Sequence, residues 1–167
     1  DRINAGRMRF SVGAVNVGTG DFAYFDTTTH RIRPEHVLAS GSLPPGFSAT
    51  EVDGEYYWDG GLVSNTPLEW VLNSQPGKNT LAFQIDLWSA RGALPHDLTE
   101  VEVRHKDIVY SSRTRAATHQ YKETQKLRIA IANLLKQLPD EFRKSDDAKR
   151  LQQEADEKVC NIVQLIY

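Results

Sequence analysis

The chain lacks several features that would point directly to a function. Its single cysteine, Cys160, excludes an intrachain disulfide and a multi-cysteine zinc site. It contains no run of about 18 apolar residues, the length that an ordinary transmembrane helix needs. Its 20 Lys and Arg residues are offset by 22 Asp and Glu residues, whereas proteins that bind nucleic-acid phosphates are usually strongly basic. The sequence therefore disfavours disulfide scaffolds, membrane-spanning helices and nucleic-acid binding.

Patterns for serine and metal chemistry are also missing. No serine has glycine both two residues before it and two residues after it, so the Gly-x-Ser-x-Gly turn that exposes a nucleophile is absent. The histidines form no i,i+4 pair and no His-Glu-x-x-His motif, so no metal site is expected from them. We expect all five to be exposed or on helix surfaces: His30, His36, His96, His105 and His119.

The 167 residues nevertheless have the composition of a folded domain, with 40% apolar and 25% charged residues. Residues 8–26 predict a β-hairpin around Gly18-Thr19-Gly20, and Asp53-Gly54 predicts a second hairpin between two β-prone runs. Pro34 and Pro67 each suit the first turn of a helix. The first half of the chain therefore predicts hairpins interspersed with short helices.

The second half has a different pattern. Residues 80–88 are almost continuously apolar, which predicts a central strand covered on both faces. Residues 98–138 contain no Gly or Pro and predict a long helix, followed after Pro139 by a second helix over 140–157 and a C-terminal strand in KVCNIVQLIY. Five apolar positions are expected on one face of the long helix: Leu127, Ile131, Leu134, Leu135 and Leu138.

Charge is distributed unevenly along the chain. Residues 104–150 hold 12 Lys and Arg against 6 Asp and Glu, while the remainder holds 8 against 16. A basic helical face can lie against an anionic membrane surface. Solvated helices with mixed charge are far more common, and that interpretation is favoured by the sequence alone.

The most specific local motif is Asp59-Gly60-Gly61. A carboxylate follows a β-prone run and precedes two residues without side chains, so it can be held at a fixed point while another backbone approaches closely. The competing interpretation is a simple turn, in which the Asp59 carboxylate accepts hydrogen bonds from nearby N–H groups. From spacing alone, the turn is favoured.

Three sequence blocks favour the functional interpretation of Asp59 over the simple turn. RFSVGAVNVGTGDFAYFD, HVLASGSLPPGF and YYWDGGLVSNTP resemble, in this order, the second half of a patatin-like phospholipase domain. The four matching motifs are a strand ending in Asn with a Thr-Gly turn, Ala-Ser-x-x-Leu-Pro with a following Phe, Asp-Gly-Gly, and Asn-x-Pro. The resemblance covers roughly residues 8–90, and the remainder resembles the helical extension of a bacterial subgroup of that family.

The resemblance implies a fold and a chemistry. The fold would be α/β, a patatin-like three-layer α/β/α arrangement that lacks its N-terminal strands, with a mainly parallel sheet, an antiparallel hairpin and a long-helix C-terminal extension. Residues 1–90 would form the C-terminal half of the hydrolase domain and residues 91–167 the helical extension ending in a strand. Patatin-like enzymes hydrolyse lipid acyl esters with a Ser–Asp dyad, so Asp59 would be the general base, with Gly60 and Gly61 shaping its turn.

The physical chemistry of such a dyad is coherent. A serine hydroxyl needs a nearby base to become a good nucleophile. A carboxylate is a weak base in water, and an apolar wall makes it a better proton acceptor because burial disfavours its charge. Trp58 and the Tyr56-Tyr57 pair are candidates for that wall, although strand alternation directs only some of them toward Asp59. No metal or organic cofactor is implied, since nucleophile, base and oxyanion donors suffice.

The missing nucleophile sets a further expectation. The chain starts with Asp-Arg-Ile-Asn, without an initiator Met or a signal-peptide pattern. We therefore expect a C-terminal portion of a longer hydrolase, with the serine and the Gly-rich oxyanion segment upstream and no ester turnover by this portion alone. Ser42 is the alternative nucleophile, but a helix-terminus serine before Pro44-Pro45 is the favoured interpretation.

Partners follow from the resemblance as well. The substrate would be a lipid or another acyl ester, and the location cytoplasmic or peripheral to a membrane. The alternative function is a non-catalytic interaction module, in which residues 98–157 bind a partner and the patatin-like part is a scaffold. The sequence does not identify the head group, the acyl chain or the oligomeric state.

Overall fold

The computed structural model describes residues 2–73, 80–155 and 160–166, which form an α/β protein with a long helix. The chain divides into two compact units, an N-terminal unit (Asp1–Asn65) and a C-terminal unit (Thr66–Tyr167). The α/β class and the long-helix extension are thus confirmed. The boundary expected near residue 90 stays a prediction.

The N-terminal unit contains a four-stranded sheet in the order β2-β1-β4-β3. Its strands are β1 (Ser11–Asn16), β2 (Phe22–Asp26), β3 (Thr50–Val52) and β4 (Glu55–Asp59). Both predicted hairpins are present, and Asp53 and Gly54 take the positive φ values of 52° and 87° that a tight turn between strands requires. All three strand pairs are antiparallel, so the expectation of a mainly parallel sheet is wrong for these strands.

One face of this sheet is covered by α1 (Pro34–Ser40). The helix starts at the predicted proline and is followed by Gly41. Strand alternation directs apolar side chains of the sheet toward α1. Together with Ile32 and with Ala39 of the helix, they form the core of the unit. The buried members are Ala14, Phe25, Ile32, Ala39 and Val52.

His36 corrects the expectation of exposed histidines, because it is only 1% exposed. It lies three residues before the buried Ala39, so both side chains share the inner face of α1. Its Nδ1 accepts the Arg33 N–H at 2.9 Å, and its ring packs 4.5 Å from that of Phe25. Burial lowers the pKa of His36, with the nearby Arg33 charge acting in the same direction. The other four histidines are exposed as expected.

Asp26 ends β2 as a charged side chain that is only 1% exposed. Its Oδ2 accepts the Arg9 Nε–H at 2.7 Å and the Ser11 hydroxyl, and its Oδ1 accepts the Thr28 N–H and hydroxyl at 2.8 and 2.6 Å. Burial alone would raise the pKa of Asp26, but the hydrogen bonds from Ser11, Thr28 and Arg9 outweigh it and hold the pKa well below its ordinary value. This carboxylate therefore fixes the end of β2 to the start of β1.

We expect Asp26→Asn to lower the free energy of unfolding at neutral pH by about 1–3 kcal/mol, because an amide replaces a carboxylate that accepts four bonds. Since the folded-state pKa is depressed, the wild-type contribution is complete above the unfolded pKa of about 4 and is lost as the pH falls below it. Urea unfolding at a series of pH values should show a weaker acid dependence in the variant. Asp21→Asn, at the exposed end of the same hairpin, is the control, and an unchanged acid slope in Asp26→Asn would contradict the assignment.

The C-terminal unit combines a pair of parallel strands with helices. Strands β5 (Thr80–Asp86) and β6 (Cys160–Ile166) pair in parallel register, so the predicted C-terminal strand is confirmed over the described residues. The helices are α2 (Leu68–Asn73), α3 (Leu98–Gln137), α4 (Asp140–Arg143) and α5 (Asp146–Ala155). The predicted helix over 140–157 is therefore two helices, and its last two residues lie outside the described ranges.

Strand β5 differs from the strand covered on both faces that its sequence predicts. Ala82, Gln84 and Asp86 are buried, whereas the alternating apolar side chains are 55–65% exposed: Leu81, Phe83 and Ile85. On the buried side, the Gln84 Nε2–H donates to Thr66 Oγ1 at 3.1 Å, and its Oε1 accepts the Thr118 hydroxyl of α3 at 2.9 Å. The apolar run therefore encodes one polar, helix-facing side and one apolar, open side.

The long helix α3 is unbroken over 40 residues, although its central part is much less apolar than its end. It starts after Asp97, whose side chain accepts the Glu100 N–H at 2.8 Å. The expected single apolar face is only partly formed, because Leu135 is buried while Leu127 and Leu134 are exposed. Within the described ranges, no helix carries an apolar stretch long enough to cross a bilayer.

Candidate active site

Asp59 lies at the C-terminal end of β4, where the strand passes directly into a short 3-10 helix over Gly60–Leu62. Its main chain is fixed on two sides: Asp59 pairs with Ala14 of β1, and its N–H donates to the Ser42 carbonyl oxygen at 3.0 Å. Its Oδ1 accepts the Gly61 N–H at 2.7 Å. The residue therefore has a defined position, anchored by the strand, by the segment after α1 and by the turn.

The second carboxylate oxygen of Asp59, Oδ2, differs from Oδ1 in its hydrogen bonding. Among the residues that the structure describes, Asp59 Oδ2 has no hydrogen-bond donor, and the side chain is half-buried. One oxygen thus orients the carboxylate while the other remains able to accept a proton. A simple turn-closing aspartate would explain the first bond, so the bond to Gly61 by itself does not assign a function.

Close contacts exclude a side chain at Gly60 and leave little room for one at Gly61. A Cβ on Gly60 would lie 2.5 Å from the carbonyl oxygen of Gly13 in β1, which is closer than atoms can approach. A Cβ on Gly61 would lie 3.1 Å from Asp59 Oδ1 and 3.3 Å from Asn65 Oδ1. The two glycines therefore let the turn pass against β1 and against the carboxylate.

The four sequence motifs meet around Asp59. The strand of the first motif supplies Ala14, and the Ala-Ser-x-x-Leu-Pro motif supplies the Ser42 carbonyl. Asp-Gly-Gly supplies the carboxylate and its orienting N–H, and Asn65 of the Asn-x-Pro motif places its oxygen beside Gly61. Motifs that lie far apart in the sequence thus form one constellation.

The aromatic residues of β4 divide between the two faces of the sheet. Tyr57 shares the face of Asp59 and α1, and its ring packs 5.3 Å from that of Phe25 in the core. Tyr56 and Trp58 point to the opposite face, because successive strand side chains alternate. Of the three aromatic residues considered for the apolar wall, only Tyr57 is on the side of Asp59.

Ser42, the alternative nucleophile, is buried and fully engaged. Its hydroxyl donates to the Leu38 carbonyl oxygen at 2.7 Å and lies 2.8 Å from the Thr50 hydroxyl. These contacts are those of a serine that ends a helix, as the sequence favours. What the sequence did not indicate is the role of its main chain in holding Asp59.

No group of three or more His, Cys, Asp or Glu side chains within the described ranges is arranged to hold a metal ion. The group that the site does offer is the Asp59 carboxylate itself. Sequence reasoning also did not identify the contact of Gly60 with Gly13, although a glycine inside the strand SVGAVN is a known sign of close approach.

Two protein-family models match the chain. The first, described as patatin-like phospholipase, matches residues 4–72 and includes all four motifs around Asp59. The second, described as patatin phospholipase, matches residues 108–167, which span most of α3 together with α4, α5 and β6. Comparison with curated proteins finds no match. The two matches therefore assign both units of the chain to the same kind of lipid hydrolase.

Proposed function

The chain belongs to the patatin-like phospholipases, a family of lipid hydrolases, and on that premise we propose that Asp59 is the general base of a Ser–Asp dyad that hydrolyses lipid acyl esters. The observation that carries the proposal is the anchored carboxylate, whose Oδ1 is bound by the Gly61 N–H while Oδ2 has no donor among the described residues. Gly60 and Gly61 hold the turn that makes this arrangement possible.

The reaction that this carboxylate supports has two stages. Asp59 accepts the serine hydroxyl proton as the serine oxygen attacks the ester carbonyl carbon, and the proton then passes to the departing alcohol. Water then attacks the acyl-serine and loses a proton to the carboxylate, which passes that proton to the serine oxygen as the C–O bond breaks and the free acid departs. Nucleophile, base and oxyanion donors suffice for both stages.

In this proposal, the nucleophilic serine of the dyad is not one of these 167 residues. None of the serines in the chain lies in Gly-x-Ser-x-Gly, and Ser42, the one that approaches Asp59 through its main chain, has its hydroxyl engaged with Leu38 and Thr50. Reading the coding sequence before Asp1 tests this directly. A β-rich run followed by Gly-x-Ser-x-Gly supports the enzyme, and its absence favours the non-catalytic interaction module.

The 167-residue chain alone is expected to leave p-nitrophenyl butyrate hydrolysis at the buffer rate, because a base without its alcohol has no acyl acceptor to activate. The measurement is the release of p-nitrophenolate, with the longer serine-containing protein as the positive control. Hydrolysis by the 167-residue chain that is lost on treatment with a serine-directed fluorophosphonate would contradict the location of the nucleophile.

A further inference from the structure

One side of α3 carries a continuous row of exposed residues at spacings of three and four. The row runs from basic residues in the middle of the helix to apolar residues near its end, and it includes Leu127, which directly follows Lys126. We call it the outer row, and its members are Arg115, His119, Lys122, Lys126, Leu127, Ala130 and Leu134.

The outer row has a net positive charge, because it contains Arg115, Lys122 and Lys126 while a single acidic residue, Glu123, is exposed beside it. Residues 113–137 contain six Lys and Arg against one acidic residue, Glu123, in a chain whose overall net charge is −2. Glu123 is already paired with Lys126 at 2.7 Å, and that contact lowers the pKa of Glu123. The basic charge is therefore concentrated on this helix and is not an average property of the surface.

The end of the outer row is apolar and uncovered. Leu127 and Leu134 are 64% and 63% exposed, whereas Leu135, on another side of the helix, is 5% exposed. Helix α5 packs against α3 within the same unit. Leu127, next to Lys126, and Leu134, about two turns further along the helix, thus remain exposed on the side of α3 that the described residues leave open.

Basic charge beside exposed leucines matches one kind of partner. An anionic bilayer attracts Lys and Arg side chains at its surface and accepts apolar side chains between its headgroups. A second copy of the same helix would place like charges against each other, which opposes pairing along this row. We propose that the outer row of α3 docks the protein on anionic lipid surfaces.

The role of this docking surface depends on the proposed function, since it would bring a lipid hydrolase to its substrate. Binding to vesicles is nevertheless independent of turnover. Asp59→Asn is expected to bind vesicles as tightly as the unmodified chain, so that a failure of catalysis and a failure of docking give different results.

The test is co-sedimentation of the 167-residue chain with vesicles of phosphatidylcholine alone or with about 30% phosphatidylglycerol. We expect binding to the anionic vesicles, weak binding to the neutral ones, and release as salt is raised. Lys122→Gln with Lys126→Gln should weaken binding about tenfold or more, and Leu127→Ser with Leu134→Ser about tenfold or more. Circular dichroism checks that each variant keeps its helices.

Two matched controls separate the outer row from general charge and hydrophobicity. Lys149→Gln with Arg150→Gln removes the same charge from exposed positions of α5, and Leu98→Ser removes a leucine that is 83% exposed in the first turn of α3. Both should bind within about twofold of the unmodified chain. Equal binding to neutral and anionic vesicles, equal losses in the controls, or self-association through Leu127 and Leu134 without vesicle binding would each overturn the proposal.

Discussion

Replacement of Asp59 by asparagine should reduce ester hydrolysis by the serine-containing protein by about 10²–10⁴-fold, the usual contribution of a general base. The amide keeps an oxygen that can accept the Gly61 N–H, so the turn keeps its hydrogen bond. It has no basic oxygen to take the serine proton, so kcat should fall with little change in KM. The measurement is steady-state hydrolysis of a p-nitrophenyl ester and of a phospholipid in micelles.

A matched control for this change is Asp53→Asn, in the turn at the other end of β4. Asp53 is exposed and has a positive φ of 52°, a conformation that asparagine tolerates well. The control should keep most of the wild-type rate, because it changes the same functional group away from the proposed site. Undiminished turnover in Asp59→Asn, with the fold intact, would remove the assignment of Asp59 as the base.

Gly60→Ala should have the largest effect on stability among substitutions near the site. The added methyl group would lie 2.5 Å from the Gly13 carbonyl oxygen and 2.8 Å from its carbon, both main-chain atoms in the centre of the sheet. Neither can rotate away as a flexible side chain would, so β4 or β1 must shift. We expect a loss of about 3 kcal/mol or more in the free energy of unfolding, at the upper end of overpacking effects. Urea unfolding followed by circular dichroism measures it.

Gly41→Ala provides the neutral comparison. Gly41 follows α1 with φ of −113°, which any residue adopts, and the nearest atoms to an added Cβ are 3.9 Å away. Its change in stability should be within about 0.5 kcal/mol. Comparable losses in Gly41→Ala and Gly60→Ala would show that the contact with Gly13 is not the cause.

Gly61→Ala separates stability from function at the same turn. Its Cβ would meet the Asp59 and Asn65 side-chain oxygens at 3.1 and 3.3 Å, which are side-chain atoms able to move by a few tenths of an ångström. We therefore expect a smaller loss of stability than in Gly60→Ala and a clear loss of turnover, because the carboxylate is displaced from its orienting N–H. Retained activity in Gly61→Ala would mean that the exact carboxylate position matters little.

Local chemistry explains why the sequence predicted the elements of the N-terminal unit well. The turn residues Gly18-Thr19-Gly20 and Asp53-Gly54, and the helix-starting Pro34, act through their own backbone conformations. Such signals depend on near neighbours only, so both hairpins and α1 lie where they were predicted. The motif order was also enough to identify the family, which the matches over residues 4–72 and 108–167 confirm.

Side-chain environment was predicted less well, because periodicity shows which residues share a face and not what covers that face. His36 was expected at the surface and is buried against Phe25. The apolar run over 80–88 was expected to be covered on both faces, yet Phe83 is exposed. In α3 the leucines divide between the buried Leu135 and the exposed Leu127 and Leu134 of the outer row.

The sequence by itself determined both hairpins and α1 of the N-terminal unit and the family, and it selected Asp59 as the candidate base, since turn residues and motifs are local chemical signals. Only the tertiary structure decided how Asp59 is held, because the Ser42 carbonyl, Ala14 and the Gly13 backbone reach it from distant parts of the chain. Strand pairing and close packing join residues by space rather than by sequence distance, and no local pattern encodes which backbone atom will lie beside a given carboxylate.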